Sequence, residues 1–143
     1  MNVETILKSK GSRVVTVAPG DTVGRALSVL EAHDIGALVV SADRLAVQGI
    51  VSERDIVREL ARQGAGLLER PVSEVMTRDV YVCEPGDTIA ELMSQMTGRR
   101  IRHLPVVVDG NLTGIVSIGD VVKYRLGEIE SEKDALREYI VRG

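Results

Sequence analysis

Pro19-Gly20-Asp21-Thr22 recurs as Pro85-Gly86-Asp87-Thr88, 66 positions on (19 to 85). Gly49-Ile50-Val51-Ser52-x-x-Asp55 recurs as Gly114-Ile115-Val116-Ser117-x-x-Asp120, 65 positions on (49 to 114). The residue lost between the two offsets falls in a turn, where Ser41 to Leu45 is answered by the tighter Val108-Asp109-Gly110-Asn111. Val3-Glu4-Thr5-Ile6-Leu7 also resembles Val72-Ser73-Glu74-Val75-Met76, and the order of the matches is kept throughout. Such duplication restricts the chain to two similarly built units, 1–66 and 67–128, followed by a tail, 129–143.

Each copy reads as β-α-β-β-α, an α+β arrangement. A short β-rich stretch (Val14 to Val17; Val80 to Val82) runs into the Pro-Gly-Asp-Thr turn. Apolar residues at Val23, Ala26, Leu27 and Leu30, and at Ile89, Leu92, Met93 and Met96, then mark one buried helix face. Asp21 or Thr22 can cap the first of these helices, and Thr88-x-x-Glu91 is a capping box for the second. Two aliphatic strands follow, Ala37 to Val40 and Val47 to Val51, matched by Leu104 to Val108 and Leu112 to Val116. Asp109-Gly110 predicts a hairpin turn in the second pair. A closing helix starts near Asp55 in one copy and Asp120 in the other. Gln63 to Pro71, with Gly64, Gly66 and Pro71, predicts a linker. Ile129 to Val141 predicts an extra charged helix, whose Ile129, Leu136 and Ile140 suit either packing on its own chain or a dimer contact.

Composition removes several functions. A 44% hydrophobic chain with a net charge of −3 is not an intrinsically disordered one. It contains no Phe or Trp and three Tyr, so the core must be aliphatic and a nucleobase must bind largely without aromatic stacking. That argues against single-stranded nucleic-acid binding, and a pI near 5.4 lacks the basic footprint of a duplex binder. No apolar run approaches the roughly 20 residues of a membrane span. Met1 to Gly11 has no apolar segment of the secretory kind, and Cys83 alone builds no disulfide framework. The expectation is a cytoplasmic protein engaging neither nucleic acid nor membrane.

Enzyme chemistry finds little support. Cys83 has no nearby His in sequence and reads as a small buried hydrophobe. His33 and His103 with one cysteine supply no metal-ligand spacing. Gly-x-Gly-x-x-Gly, a Walker A loop and Gly-x-Ser-x-Gly are all missing from the sequence.

The doubled β-α-β-β-α, with Pro-Gly-Asp-Thr after the first strand and Gly-Ile-Val-Ser-x-x-Asp before the last helix, resembles the CBS domain. Two copies make a CBS pair, or Bateman module. Val75-Met76-Thr77 and Arg102-His103-Leu104-Pro105-Val106-Val107 add to the match, which covers Val3 to Leu126. The resemblance implies a pseudo-twofold pairing of the repeats with two clefts between them. It further implies an adenine-nucleotide ligand (AMP, ADP or ATP, with NAD or S-adenosylmethionine possible) and a sensor role toward a regulated partner protein. It also implies a homodimer, the family's flat four-repeat disc.

Candidate site residues follow. A carboxylate can accept both hydroxyl hydrogen bonds of a ribose, and the resemblance gives that role to Asp55 and Asp120. It places Ser52 and Ser117 by phosphate, at helix N-termini that favour anions. Ser-x-x-Asp ahead of an apolar run is also a capping box, and the two roles can coexist. Arg102 offers a planar fork for phosphate oxygens and His103 a further donor, although cations also suit a helix C-terminus. Thr16 and Val17, with Tyr81 and Val82, sit on the strand that lines the family's adenine pocket. The copies differ: Arg102-His103 stands against Gly36-Ala37, and Arg54 lies inside Ser-Glu-Arg-Asp where the second copy reads Ser-Ile-Gly-Asp. Unequal clefts are therefore expected, the tighter being that of Ser52, Arg54 and Asp55, with Arg102 and His103 contributed by the other copy.

Overall fold

The computed structural model describes residues 1–142. Helix α1 (Val3–Lys10) opens the chain under an Asn2–Thr5 capping box and ends at Gly11, whose φ of 96° favours glycine. In the first repeat, β1 (Thr16–Val17) lies parallel to β2 (Ala37–Val40), which pairs antiparallel with β3 (Gly49–Ser52). Helix α2 (Val23–His33) links β1 to β2, and α3 (Glu53–Gln63) follows β3. The second repeat holds α4 (Ile89–Arg99), the β4 (His103–Val108)–β5 (Asn111–Ser117) hairpin, and α5 (Ile118–Arg142). Asp109 and Gly110 turn that hairpin at φ 52° and 78°, the two positive values a type I′ turn requires.

The Pro-Gly-Asp-Thr motif does the same local work twice. Asp21 accepts the Ala18 N–H at 2.9 Å and Asp87 the Glu84 N–H at 2.9 Å, closing the turns. Thr22 and Thr88 then cap α2 and α4 through the amides of Arg25 and Glu91. The motif's carbonyls hold the lead-in of the opposite repeat. Val3 and Glu4 donate to Asp87 and Pro85, both at 3.0 Å, while Val72 and Ser73 donate to Asp21 and Pro19 at 2.8 and 3.0 Å.

This exchange also shapes the interior. One core gathers Val3 and Ile6 of α1 with Ile89, Leu92, Met96, Leu104 and Val116 of the second repeat. The other gathers Leu67 and Val72 with Val23, Leu30, Leu38, Val51 and Ile56 of the first. Aliphatic side chains fill both cores, as a chain without Phe or Trp demands. Two glycines permit the crossing. A Cβ at Gly49 would come within 2.5 Å of Met76 Sδ and 3.0 Å of the Thr77 carbonyl, and one at Gly114 within 2.8 Å of Leu7.

Two expectations need correction, and a third gains detail. Val80 to Val82 is not a strand; only Cys83 bridges β4, at Val106. Parallel pairing one residue earlier needs an N–H donated from position 105, and Pro105 has none. In the first repeat Val39 takes that place, and Thr16 pairs with it, although the β-rich Val14 to Val17 is likewise strand only over its last two residues. Gln63 to Pro71, expected as a linker, carries structure of its own: a 3-10 turn at Ala65–Glu69 buries Leu67 in the core of the first repeat. The tail is not a separate helix, since α5 runs unbroken for 25 residues from Ile118.

Candidate functional site

A cavity of about 590 Å³ lies where β3 and the first turn of α3 face residues 77–81 and the segment 100–103 of the second repeat. Ile50 fastens its floor: it donates to the Thr77 carbonyl at 3.0 Å and accepts the Thr77 N–H at 2.9 Å. Ser52 caps α3, its Oγ accepting the Asp55 N–H at 3.2 Å. Asp55 answers through Oδ2, which takes the Ser52 N–H at 3.1 Å and the Ser52 hydroxyl at 2.9 Å. The capping box is therefore real. It uses one carboxylate oxygen only, and Oδ1 has no hydrogen-bond partner among the described residues. Capping fixes the side chain of this cavity-lining residue and leaves one acceptor oxygen unused.

Six residues expected at a site line this one cavity: Ser52, Arg54, Asp55, Tyr81, Arg102 and His103. Three of them, Tyr81, Arg102 and His103, come from sequence positions beyond the first repeat's closing helix, yet the fold brings all six together. Arg58 and Arg100 join them. Sequence reasoning does not single out Arg58, although it stands one helical turn after Arg54 on the same face of α3. Four arginines thus surround the space against the carboxylates of Glu53, Asp55 and Asp79. Arg99 lies over the exposed ring of Tyr81, 3.8 Å from its centroid, and props one wall.

His103 meets Gly36 of the first repeat, with Cε1 at 3.7 Å from where a Cβ would stand. Burial pushes its imidazole pKa below the usual value, and the charges of Lys10 and Arg102 push the same way against the opposing pull of Asp120. His103 is therefore a neutral donor–acceptor at pH 7, not a cation. Cys83 is buried, and desolvation with the nearby Asp87 pushes its thiol up to about 12, which removes the thiolate a nucleophile needs.

The second cleft is built differently. Ser117 and Asp120 repeat the amide exchange, at 3.0 and 3.2 Å. Here, however, Lys10 at the end of α1 reaches Asp120 Oδ2 at 2.6 Å and the Ile115 carbonyl at 3.1 Å. Ile115 is the counterpart of Ile50, so a lysine ammonium stands where the first cleft has a backbone bridge from Thr77. Burial works to raise the Asp120 pKa, but hydrogen bonds from Lys10 and Ser117 hold it below the ordinary carboxylate value. Thr16 lines only a separate pocket of about 180 Å³ with Arg13, His33 and Arg44, which neither Ser117 nor Asp120 borders. Val17 is core, and Val82 is exposed outside both pockets. Val17 corresponds to Cys83, each bridging the strand beside it, so the counterpart of cavity-lining Tyr81 is Val15. No group of three or more metal-ligating side chains occurs among the described residues.

The CBS domain profile matches this chain twice, over residues 6–62 and 72–127. The chain is a CBS-domain protein. The CBS domain-containing protein CBSX3 of Arabidopsis thaliana, described as mitochondrial, is 34% identical over 99% of this chain and 72% of its own length. The crystal structure of a CBS-domain-containing protein from Agrobacterium tumefaciens is 49% identical, with a TM-score of 0.84 over 87% of this chain and 99% of that one. The CBS domain pair of the protein MJ0100, solved with 5′-methylthioadenosine and S-adenosyl-L-methionine, shares the fold at 24% identity. Its TM-score is 0.79, over 90% of this chain and 98% of that one. None of the described helices is long and apolar enough to cross a membrane.

Proposed function

We propose that this CBS pair is an adenine-nucleotide-binding regulatory module, with one principal site in the Asp55 cleft. The observation that carries the reading is the convergence of Ser52, Arg54, Asp55, Arg102 and His103 on a single cavity of about 590 Å³, a volume that suits a nucleotide. Asp55 Oδ1 accepts from the ribose hydroxyls. The N-terminus of α3 and the arginines receive phosphate. Tyr81 and the backbone of residues 79–81 flank the base. Four arginines favour ADP or ATP over AMP, and disfavour the cationic S-adenosylmethionine. NAD, a dinucleotide carrying two phosphates, is the longer alternative.

The ligand touches α3 of one repeat and the segment 100–103 of the other, so it biases the arrangement of the two halves. That bias equals the difference in its affinity for the two arrangements. The module is a binding protein and not an enzyme; it passes the ligand state to a regulated partner through a homodimer, in a reducing compartment such as the cytoplasm.

A thermal-shift screen with AMP, ADP, ATP, NAD and S-adenosylmethionine tests the reading, because a ligand selective for the native state raises its stability. ATP or ADP is expected to raise Tm most, and Asp55→Ala to abolish the rise. No shift with any of the five at millimolar concentration overturns the sensor and leaves a structural or oligomerisation adaptor.

A further inference from the structure

Helix α5 leaves the body of the molecule part-way along its length. Ile118, Val121 and Tyr124 hold its first turns against the core of the second repeat. From Ile129 to Arg142 every residue is exposed. A helical stretch that short, with no tertiary support, is marginal in water. Its exposed face is nevertheless apolar and regularly spaced: Val122, Leu126, Ile129, Leu136 and Ile140 are 38%, 59%, 45%, 59% and 66% exposed.

With Lys133 in the gap, these positions alternate four and three residues apart, the d and a sites of successive heptads. The flanking positions are charged, apart from Tyr139 at the last g. Arg125 and Glu132 occupy g; Glu130 and Arg137 occupy e. In a parallel pair each g residue faces the e residue five positions later on the other helix. Arg125 then meets the partner's Glu130, and Glu132 meets the partner's Arg137: both contacts are attractive. In the antiparallel pair that opposes the same apolar sites, Glu130 faces the partner's Glu130 and Glu132 the partner's Glu132, which is repulsive.

We propose that the exposed half of α5 pairs with α5 of a second copy as a short parallel coiled coil through Val122, Leu126, Ile129, Leu136 and Ile140. Lys133 at an a site opposes its own copy, which weakens the pair and disfavours shifted registers and larger bundles. The inference supplies an interface for the homodimer in the functional reading above and rests on that reading for nothing else.

Cysteine cross-linking in the full chain tests it, since native Cys83 is buried. Leu136→Cys places two thiols across the seam, and Ser131→Cys places them on the outer f position. Under mild oxidation Leu136→Cys is expected to give a covalent dimer, and Ser131→Cys to lag well behind. Sedimentation of the unmodified chain at micromolar concentration is expected to give twice the monomer mass, falling to the monomer in Leu126→Asp. Equal cross-linking of the two cysteines overturns the seam, as does a Leu126→Cys/Leu136→Cys mixture that couples faster than either alone. A monomeric unmodified chain overturns both seam and homodimer. A dimer that survives Leu126→Asp overturns the seam and leaves the homodimer to another face. Nucleotide binding at Asp55, read separately, is untouched by any of these outcomes.

Discussion

Lys10 Nζ stands 2.6 Å from Asp120 Oδ2, an ion pair joining positions 110 residues apart. The equivalent carboxylate of the first repeat, Asp55, makes no ion pair with any described residue. The difference arises at one place. α1 is eight residues long where the equivalent lead-in, Val72–Glu74, is a three-residue turn, and the additional length carries Lys10 into the second cleft. The ammonium shares Oδ2 with the Ser117 N–H and pairs the carboxylate's charge, so this cleft holds an ion pair where the first holds an unpaired carboxylate. Asp55→Ala is therefore expected to weaken ATP binding at least about tenfold, the worth of a charge-assisted hydrogen bond, and Asp120→Ala to change it little. Titration calorimetry reads both. Equal losses contradict the asymmetry.

Removing the lysine should make the clefts alike. Lys10→Ala frees Asp120, and calorimetry is expected to find a second nucleotide equivalent per chain, weaker than the first because the second copy has Gly119 in place of Arg54. A stoichiometry still at one rejects Lys10 as the obstacle.

The same pair has a pH signature. The Asp120 pKa is depressed below 3.8 in the folded state, so the unfolded chain binds this proton more tightly. The resulting stability is complete above 3.8 and drains away as pH falls through the folded value. Being partly exposed, the pair contributes about 1 kcal/mol or less. Urea unfolding of the unmodified chain and Lys10→Met is expected to differ at pH 7, with the gap narrowing below pH 4. A gap that does not change with pH assigns the effect to packing of the lysine stem instead.

His103 and Arg102 are neighbours with different charge. Burial keeps His103 neutral, so its NMR titration midpoint is expected below 6.5. His103→Gln should then leave the salt dependence of ATP binding unchanged. Arg102→Ala is expected to cost roughly fivefold in affinity, about 1 kcal/mol, and to flatten that salt dependence. A His103 midpoint above 6.5 contradicts the assignment.

How far these relationships can be read from the chain depends on what carries them. Duplicated motifs betray the two units, and short-range chemistry does the rest: Thr88-x-x-Glu91 caps α4, Asp109-Gly110 turns the hairpin, and Ser52-x-x-Asp55 caps α3. The unequal clefts also show in sequence, through Arg54 and Arg102-His103. Periodicity says that Val3 and Ile6 are buried but is silent on the fact that they complete the opposite repeat's core. Nor does it reveal Lys10, because no local pattern marks a contact across 110 positions. The failed strand at Val80 to Val82 was written elsewhere in the chain, in the missing N–H of Pro105.

Gly49 and Gly114 sit at matching points of the two repeats, yet their neighbours respond differently to added bulk. A Cβ at Gly114 meets the tip of Leu7, at 2.8 and 3.1 Å, and a rotamer change can move that tip. A Cβ at Gly49 meets Met76 Sδ and Cγ at 2.5 and 2.9 Å and the Thr77 backbone carbonyl at 3.0 Å. That carbonyl is fixed by the Ile50 N–H, so relief requires breaking the bridge that floors the Asp55 cleft. Gly49→Ala is expected to destabilise the protein by about 1–3 kcal/mol, the usual cost of overpacking, and Gly114→Ala by less. Denaturant unfolding gives the two values, and calorimetry at a temperature where both variants are folded gives ATP affinity. Only Gly49→Ala should weaken binding, because Ile50 and Thr77 line that cavity. Equal destabilisation with binding intact in both shows that Met76 and Thr77 yield as readily as Leu7.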